Sequence, residues 1–287
     1  MRRHHLGVRR APRVVTGMFD VLAADIKAER PVALAEVIEG PADALGSKLV
    51  VRPGPPVEIL GSLGNPDLDR VAGRDALGEL AAGMTVTRHY GLRGEARERA
   101  VSVFIESFAA PPRMIIFGAV DFTASLVKVA KVLGYRVTVC DARPVFATRA
   151  RFPQADEVIV SWPDRHLGEV GATLGPRDAV CVLTHDPKFD VPAIVSALGT
   201  SVGYLGAMGS RRTTDERTDR LRAAGVDEAS LARIMAPIGL DIGARTPEET
   251  AVAICGEIIA FRAGRRPQSL RDQEGPIHRD RVRVTEP

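Results

Sequence analysis

The fold is decided by the stretch Gly203-Tyr204-Leu205-Gly206-Ala207-Met208-Gly209-Ser210-Arg211-Arg212. Its apolar start, its glycines and its polar end predict a strand, a tight turn and the beginning of a helix. Gly206 and Gly209 can adopt positive φ angles, which lets backbone amides approach a ligand closely. An oxyanion at this turn would meet the helix dipole and the forked donors of Arg211 and Arg212. A tight turn with solvated arginines is the alternative interpretation.

The same strand-to-helix pattern occurs repeatedly before this stretch. Apolar strands are predicted over residues 114–117, 136–140, 157–160, 179–183 and 202–205. Segments with helical spacing and short links separate them, and Thr213, Thr214 or Asp215 is predicted to cap the helix that follows the last strand. A capping box, Thr246-Pro247-Glu248-Glu249, begins a final helix. Alternating apolar strands and helices predict an α/β fold with a Rossmann-like, doubly wound parallel sheet.

The N-terminal third of the chain has a different pattern. Short strands over residues 32–38, 48–51, 84–89 and 101–105, with helices over 16–29 and 68–82, predict a smaller α+β domain. Residues 61–68 are predicted to form a glycine-rich turn, and Pro111-Pro112 marks the domain boundary. We therefore predict a flexible basic tail over 1–15, an α+β domain over 16–110, the Rossmann-like domain over 111–263 and a loose polar tail over 264–287.

Bulk composition excludes several classes of protein. The chain has 287 residues, a formal net charge of +3 and 45% hydrophobic residues, which is ordinary for a globular protein and unlike a disordered one. Aromatic residues make up only 5%, so a nucleic-acid groove is not predicted. No membrane span is predicted, and no long apolar segment follows the N-terminal arginine pairs, so the expected location is the cytoplasm. The three cysteines lie within apolar runs, which predicts reduced core residues.

Polar clusters follow four of the predicted strands. They are the segments 118–121, 141–143, 184–186 and 206–212. The carboxyl ends of parallel strands share one edge of a sheet, and ligands of doubly wound proteins bind there. The pattern favours a shared crevice for an anionic ligand over a set of solvated loops.

A dinucleotide site is a weaker interpretation of the same edge. Asp141 follows Gly118 by 23 residues, close to the spacing at which an acid binds a ribose hydroxyl. However, Val120 stands where a second glycine would let pyrophosphate approach, and Asp121 adds negative charge, so NAD(P) is disfavoured. His185 has the chemistry of an acid or base, with a loop hydrogen-bonding role as the alternative.

Three motifs resemble the XdhC/CoxI family. They are Thr184-His185-Asp186-Pro187, the segment Tyr204 to Arg212, and Ala236-Pro237-Ile238-Gly239-Leu240-Asp241-Ile242-Gly243-Ala244 followed by the capping box. The resemblance covers about residues 111–262. It implies an accessory factor that binds molybdenum cofactor, as molybdopterin or its cytosine dinucleotide, and delivers it to an apo molybdenum hydroxylase such as xanthine dehydrogenase or carbon monoxide dehydrogenase. A cysteine desulfurase or sulfurtransferase partner and a homodimer are further expectations.

The chain departs from the family pattern in three places, one of which is a later cysteine-glycine turn that is replaced here by Gly91-Leu92-Arg93-Gly94-Glu95. The family usually has a histidine in the first Rossmann turn, where this chain has Asp121, and a cysteine-containing N-terminal motif, for which residues 61–68 are the degenerate counterpart. If those family residues handle molybdenum or sulfur, this chain cannot do so in the same way. The resemblance therefore identifies a divergent member.

Three functions follow from these observations. A non-catalytic cofactor chaperone is favoured, ahead of an NAD(P)-dependent oxidoreductase with Asp141 on the ribose and His185 as acid or base, and of a docking module that has lost cofactor binding. No catalytic residue or metal ligand is predicted. The candidate cofactor-binding residues are Gly118, Asp121, Asp141, Thr184, His185, Asp186, Gly206, Gly209, Ser210, Arg211, Arg212, Gly239, Asp241 and Gly243.

Overall fold

The computed structural model describes residues 17–96 and 98–272. The described residues form two compact units, which separate between Ala110 and Pro111. The predicted tail over 1–15 lies outside the described residues, as does the end of the predicted polar tail beyond residue 272. Within 264–272, Leu270–Asp272 forms a short 3-10 turn.

The N-terminal unit is an antiparallel sheet with two helices, and its strand order is β3-β2-β1-β5-β4. The strands are β1 (Val32–Glu39), β2 (Lys48–Arg52), β3 (Glu58–Ser62), β4 (Val86–Tyr90) and β5 (Val101–Phe108), and the helices are α1 (Met18–Lys27) and α2 (Pro66–Ala82). The prediction of a turn from residue 61 was wrong, because Gly61 and Ser62 still pair with β2. This edge strand is largely exposed, so its sequence lacks an apolar pattern.

Helix α2 closes the core of this unit. Leu68, Ala72, Ala76 and Leu80 recur every four residues and are all buried. Asn65 caps the helix by accepting a hydrogen bond from the Asp67 amide at 2.9 Å.

The C-terminal unit is a six-stranded parallel sheet, with the strand order β11-β10-β9-β6-β7-β8. The strands are β6 (Arg113–Phe117), β7 (Arg136–Asp141), β8 (Glu157–Val160), β9 (Ala179–Val182), β10 (Tyr204–Ala207) and β11 (Ile234–Met235). Counted from β6, the spatial order is 3-2-1-4-5-6, the order of a Rossmann fold. The direction of winding changes between β6 and β9, which places the topological switch point at the ends of these two strands.

Helices cover both faces of the parallel sheet. They are α3 (Asp121–Val132), α4 (Pro163–Val170), α5 (Pro187–Leu198), α6 (Arg211–Ala223), the short α7 (Glu228–Leu231) and α8 (Pro247–Ala263). Strand β6 illustrates the double coverage, since Ile116 packs in the cluster of α3 and α8 whereas Ile115 and Phe117 pack in that of α4, α5 and α6. A strand buried on both faces must be apolar at every position, which explains the continuous run in the sequence.

The three cysteines belong to these cores. Cys140, Cys181 and Cys255 are free thiols and all are buried. Burial raises the pKa of Cys140 and of Cys255 to about 12, so neither presents a thiolate near neutral pH. No described helix has the length and apolar character needed to cross a membrane.

Candidate functional site

The turn of residues 208–210 joins β10 to α6. The Ser210 hydroxyl caps the helix by accepting a hydrogen bond from the Thr213 amide at 3.1 Å. The prediction of a cap at Thr213, Thr214 or Asp215 was therefore wrong, because the helix already begins at Arg211. Arg211 and Arg212 consequently occupy the first two helical positions, where free amides and the helix dipole favour an anion.

Arg211 and Arg212 differ in their contacts with the rest of the protein. Arg212 donates to Glu216 at 3.0 Å, and this hydrogen bond lowers the pKa of the Glu216 carboxyl. Arg211 is exposed and has no hydrogen bond or ion pair within the described part of the chain. Arg211 is therefore the more available donor for a bound anion.

The two glycines of the stretch have different roles. Gly206 lies inside β10 and is buried, and a Cβ there would lie 2.5 Å from Ile238 Cδ1 and 2.8 Å from the Tyr204 hydroxyl. The expectation of a positive φ at Gly206 was wrong, because close packing rather than backbone conformation requires the glycine. Gly209 lies in the turn, with a φ of 157°, and a Cβ there would lie 3.2 Å from Thr213 Cβ.

A buried ion pair between Arg217 and Asp190 stabilises the turn of residues 208–210. Arg217 of α6 is only 3% exposed, and its Nη2 donates to Asp190 Oδ2 at 3.0 Å and to the Met208 carbonyl at 2.6 Å. Its Nε and Nη1 are buried without a hydrogen-bond partner among the described residues. Burial raises the pKa of Asp190 to about 6, although Arg217 opposes the shift. Sequence reasoning missed this pair, because Arg217 lies in a strongly polar helix.

The segment 184–186 joins β9 to α5. Thr184 is buried, and its hydroxyl donates to Asp190. Asp186 caps α5 by accepting a hydrogen bond from the Lys188 amide at 3.0 Å, so the helix begins at Pro187. His185 is exposed. Thr184 is thus connected through Asp190 and Arg217 to Met208 of the neighbouring turn.

The first Rossmann turn is closely packed at the switch point. Gly118 has a φ of 110°, and a Cβ there would lie 3.0 Å from the Thr184 amide nitrogen. Asp121 is exposed at the start of α3, and its Oδ1 lies 3.6 Å from Arg151 Nη2. The backbone thus leaves little room between the ends of β6 and β9.

The Asp141 carboxylate is already hydrogen-bonded within the protein. Its Oδ2 accepts a hydrogen bond from the Ala119 amide at 2.8 Å, and its Oδ1 accepts from the Arg143 amide and Nε, both at 2.9 Å. Burial disfavours its ionisation, but the Arg143 side chain and the two amides outweigh that effect and lower the pKa of Asp141. A ribose hydroxyl would have to compete with these donors. The Ala119 amide, well placed for a pyrophosphate, is likewise already used.

The residues 236–244 follow β11 on the same carboxyl edge. Gly239 has a φ of 100°, and its amide donates to Glu257 Oε2 at 2.9 Å. The buried Tyr204 hydroxyl donates to the same oxygen at 2.5 Å. Gly243 has a φ of 75°, and Asp241 is exposed. Glu257 of α8, which the sequence did not identify, therefore anchors this motif to β10.

The candidate residues differ in burial. Gly118, Asp141, Thr184 and Gly206 are buried and make internal contacts, Gly209 and Gly239 are half-buried, and the others are exposed, namely Asp121, His185, Asp186, Ser210, Arg211, Arg212, Asp241 and Gly243. Among residues 17–96 and 98–272, no group of three or more His, Cys, Asp or Glu side chains could hold a metal ion. A surface groove of about 380 Å³ beside β8, lined by Asp156 and Val158 among others, contains none of the candidates. The carboxyl edge thus offers cationic donors rather than metal ligands.

Comparison with known protein families shows which family the chain belongs to. The profile of the XdhC Rossmann domain matches residues 114–258, about half of the chain, and that of the XdhC and CoxI family matches residues 25–91. The chain belongs to the XdhC and CoxI family. The profile matches cover both the parallel sheet with its carboxyl-edge turns and most of the antiparallel unit.

Two curated relatives of this XdhC/CoxI chain carry informative names. A protein of Bacillus subtilis named as a probable xanthine dehydrogenase subunit is 34% identical over 165 residues, 58% of this chain and 47% of the relative. The molybdenum cofactor insertion chaperone PaoD of Escherichia coli is 31% identical over 99 residues, 34% of this chain and 31% of the relative. The chain thus matches less than half the length of either protein.

A solved structure supports the fold of the XdhC/CoxI chain. A xanthine dehydrogenase crystal structure from Bacillus halodurans superposes with a TM-score of 0.51 at 20% identity, covering 87% of this chain and 97% of that one. At this identity the likeness concerns the fold alone.

Proposed function

We propose that the chain is an accessory factor that binds molybdenum cofactor as a transient ligand and assists its insertion into a molybdenum hydroxylase of the xanthine dehydrogenase or carbon monoxide dehydrogenase type. The observation that carries the proposal is the exposed pair Arg211 and Arg212 at the start of α6, within the part of the chain that the XdhC Rossmann profile matches. A relative named as a molybdenum cofactor insertion chaperone supports the same role.

The phosphate of the cofactor is the group that this site fits best. The Ser210 hydroxyl takes up the Thr213 amide, and the two earlier amides of α6 belong to Arg211 and Arg212 themselves, so an oxyanion bound there would meet backbone donors and guanidinium donors together. Arg217 holds the Met208 carbonyl and so fixes the turn before the ligand arrives. Preorganised donors bind more tightly than donors that must be ordered on binding.

The metal end of the cofactor has no comparable partner in the described residues. The three cysteines are buried and the described carboxylates and histidines form no ligand cluster. We therefore propose that the chain carries the cofactor through its phosphate and organic part, without acting as a sulfur donor. This role requires no catalytic residue.

Anaerobic titration of the purified chain with cofactor released from a molybdenum hydroxylase tests the proposal. Saturable binding that is reduced in the Arg211→Ala/Arg212→Ala variant is the expected result. Arg222→Ala is a matched control, because this arginine lies in the last turn of the same helix and pairs with Glu228. Absence of saturable binding, under conditions where a family member binds, would exclude the function.

The hydroxylase partner is tested by reconstitution. Cofactor-loaded protein is expected to activate an apo molybdenum hydroxylase faster than the same amount of free cofactor. A sulfurtransferase partner, a homodimer and a cytoplasmic location stay predictions of the sequence. Light scattering measures the homodimer directly.

A further inference from the structure

Four side chains form a continuous stack at the carboxyl edge of the parallel sheet. The Arg143 guanidinium carbon lies 4.5 Å from the centre of the Phe146 ring and 5.8 Å from that of Phe189. The Phe189 ring centre in turn lies 4.8 Å from that of Trp162, with the two planes inclined by 32°. We call Phe146, Arg143, Phe189 and Trp162 the ring stack.

The ring stack is held in place by its surroundings. Arg143 donates to Asp141 through Nε at 2.9 Å and through Nη2 at 2.8 Å, which fixes the plane of the guanidinium. Trp162 immediately precedes α4 and Phe189 lies in the first turn of α5, and these two helices pack against each other. A ligand would therefore meet an ordered surface rather than mobile side chains.

The two ends of the ring stack are open. Trp162 is 49% exposed and Phe146 is 40% exposed. Arg151 lies over the Phe146 ring at 5.7 Å, so a second guanidinium borders the aromatic surface. Exposed aromatic rings beside cations are the elements with which proteins bind planar heterocycles.

The ring stack and residues 208–212, which we call the arginine turn, border the same helix, α5. Phe189 is the neighbour of Asp190, which pairs with Arg217 beneath the turn of residues 208–210. Both features therefore lie around the N-terminal end of α5, beside the switch point where doubly wound sheets bind ligands. A ligand with a planar ring and a phosphate could use the two features together.

We propose that the ring stack binds a planar nitrogen heterocycle joined to a phosphate, as the organic part of the cofactor that the arginine turn receives. The inference rests on the proposed function and extends it from the phosphate to the ring. Two rings share this chemistry, the pterin itself and the cytosine of a pyrophosphate-linked nucleotide. Stacking tolerates different heterocycles, because every one of them presents a π face.

Trp162 is the single tryptophan of the chain, so its fluorescence reports on the ring stack directly. The purified protein is titrated separately with CDP, with hydroxymethylpterin phosphate and with inorganic pyrophosphate. Saturable quenching by at least one of the two ring ligands, at concentrations where pyrophosphate has no effect, is expected. The ligand that binds more tightly identifies the ring. Equal quenching by pyrophosphate would overturn the proposal, since the ring would then be irrelevant.

Variants that keep Trp162 provide a second measurement, by calorimetry. Phe189→Leu and Phe146→Leu should each weaken binding of the preferred ring ligand at least about tenfold, equivalent to about 1.4 kcal/mol. Val145→Ala, an exposed change in the same loop as Phe146, should bind like the wild type. Wild-type affinity in both phenylalanine variants would overturn the proposal, and the exposed Phe146 makes its variant informative even if Phe189→Leu fails to fold.

The two proposals can fail separately. If the wild type binds released cofactor but neither ring ligand, the ring stack is excluded while the proposed function stands. If a ring ligand binds and released cofactor does not, the ring stack binds a heterocycle, but the proposed function and the assignment of that ring to the cofactor are both wrong.

Discussion

At the scale of single residues, Arg211 and Arg212 give the most direct prediction. Arg211→Ala should weaken binding of released cofactor by about 1.5–3 kcal/mol, the contribution typical of a hydrogen bond to a charged group. Arg212→Ala should cost less, because Glu216 already engages that guanidinium. Anaerobic titration measures both, and unfolding curves should be unchanged, since exposed arginines contribute little to stability. Wild-type binding by the double variant would mean that these arginines form a solvated surface.

Asp190 gives a prediction about pH. Its folded pKa of about 6 lies above the ordinary 3.8. As the pH rises from about 4 to about 6, the unfolded chain therefore releases this proton while the folded protein retains it. The stabilisation contributed by the protonated carboxyl is complete below that window and lost above it, by up to about 3 kcal/mol. Urea unfolding at several pH values measures it, with Asp190→Asn as the variant that lacks this slope. Parallel pH profiles for the two proteins would contradict the prediction.

The burial of Arg217 and its ion pair with Asp190 could not be predicted from the sequence. Its helix reads as a solvated surface, since charged residues surround Arg217 on both sides. Leu221, one turn later, is buried on the same side and was the available signal for an inward-facing position. The partner, Asp190, is 27 residues away, and no local pattern in the sequence connects the two.

At the scale of elements, β10 depends on Gly206. Gly206→Ala should destabilise the protein by about 1–3 kcal/mol, because the new methyl group would collide with Ile238 and with the Tyr204 hydroxyl. Thermal unfolding measures the loss. Gly168→Ala in α4 is the matched control, since a Cβ there meets nothing within 4 Å and alanine favours a helix by up to about 1 kcal/mol. Equal stability of Gly206→Ala and wild type would show that β10 and residue 238 move apart easily.

The elements that the sequence predicted well are those with a run of apolar residues or a regular apolar spacing. β6 and β7 were predicted to within one residue, because strands covered by helices need apolar runs, and β8, a partly exposed edge strand, was predicted with its observed bounds from its short Val-Ile-Val run. β3 and β11 were missed, since the first is an exposed edge strand and the second has only two residues. The positive φ of Gly209 was predicted, but the reason for Gly206 was not, because its packing against Ile238 depends on the tertiary structure.

At the scale of the whole molecule, each unit has its own apolar core. Two hydrophobic clusters of the described chain lie between residues 18 and 109, and two others lie between residues 114 and 258. Domains with separate cores can in principle fold alone. The candidate binding residues all belong to the second unit.

The fragment of residues 111–287 should therefore fold alone and bind released cofactor as tightly as the full chain. Its core, the arginine turn and the ring stack are all contained in it, so removal of the first unit takes away no described donor. Circular dichroism measures folding and anaerobic titration measures cofactor binding, with the fragment of residues 1–110 as the control that should fold without binding cofactor. A well-folded second fragment that binds cofactor at least about tenfold more weakly than the full chain, a loss of about 1.4 kcal/mol, would show that the first unit contributes to the site.

The same two fragments test whether the first unit is a docking module for the hydroxylase. Capture of an apo hydroxylase by residues 1–110 alone would assign docking to the first unit, whereas capture by residues 111–287 alone would exclude that role.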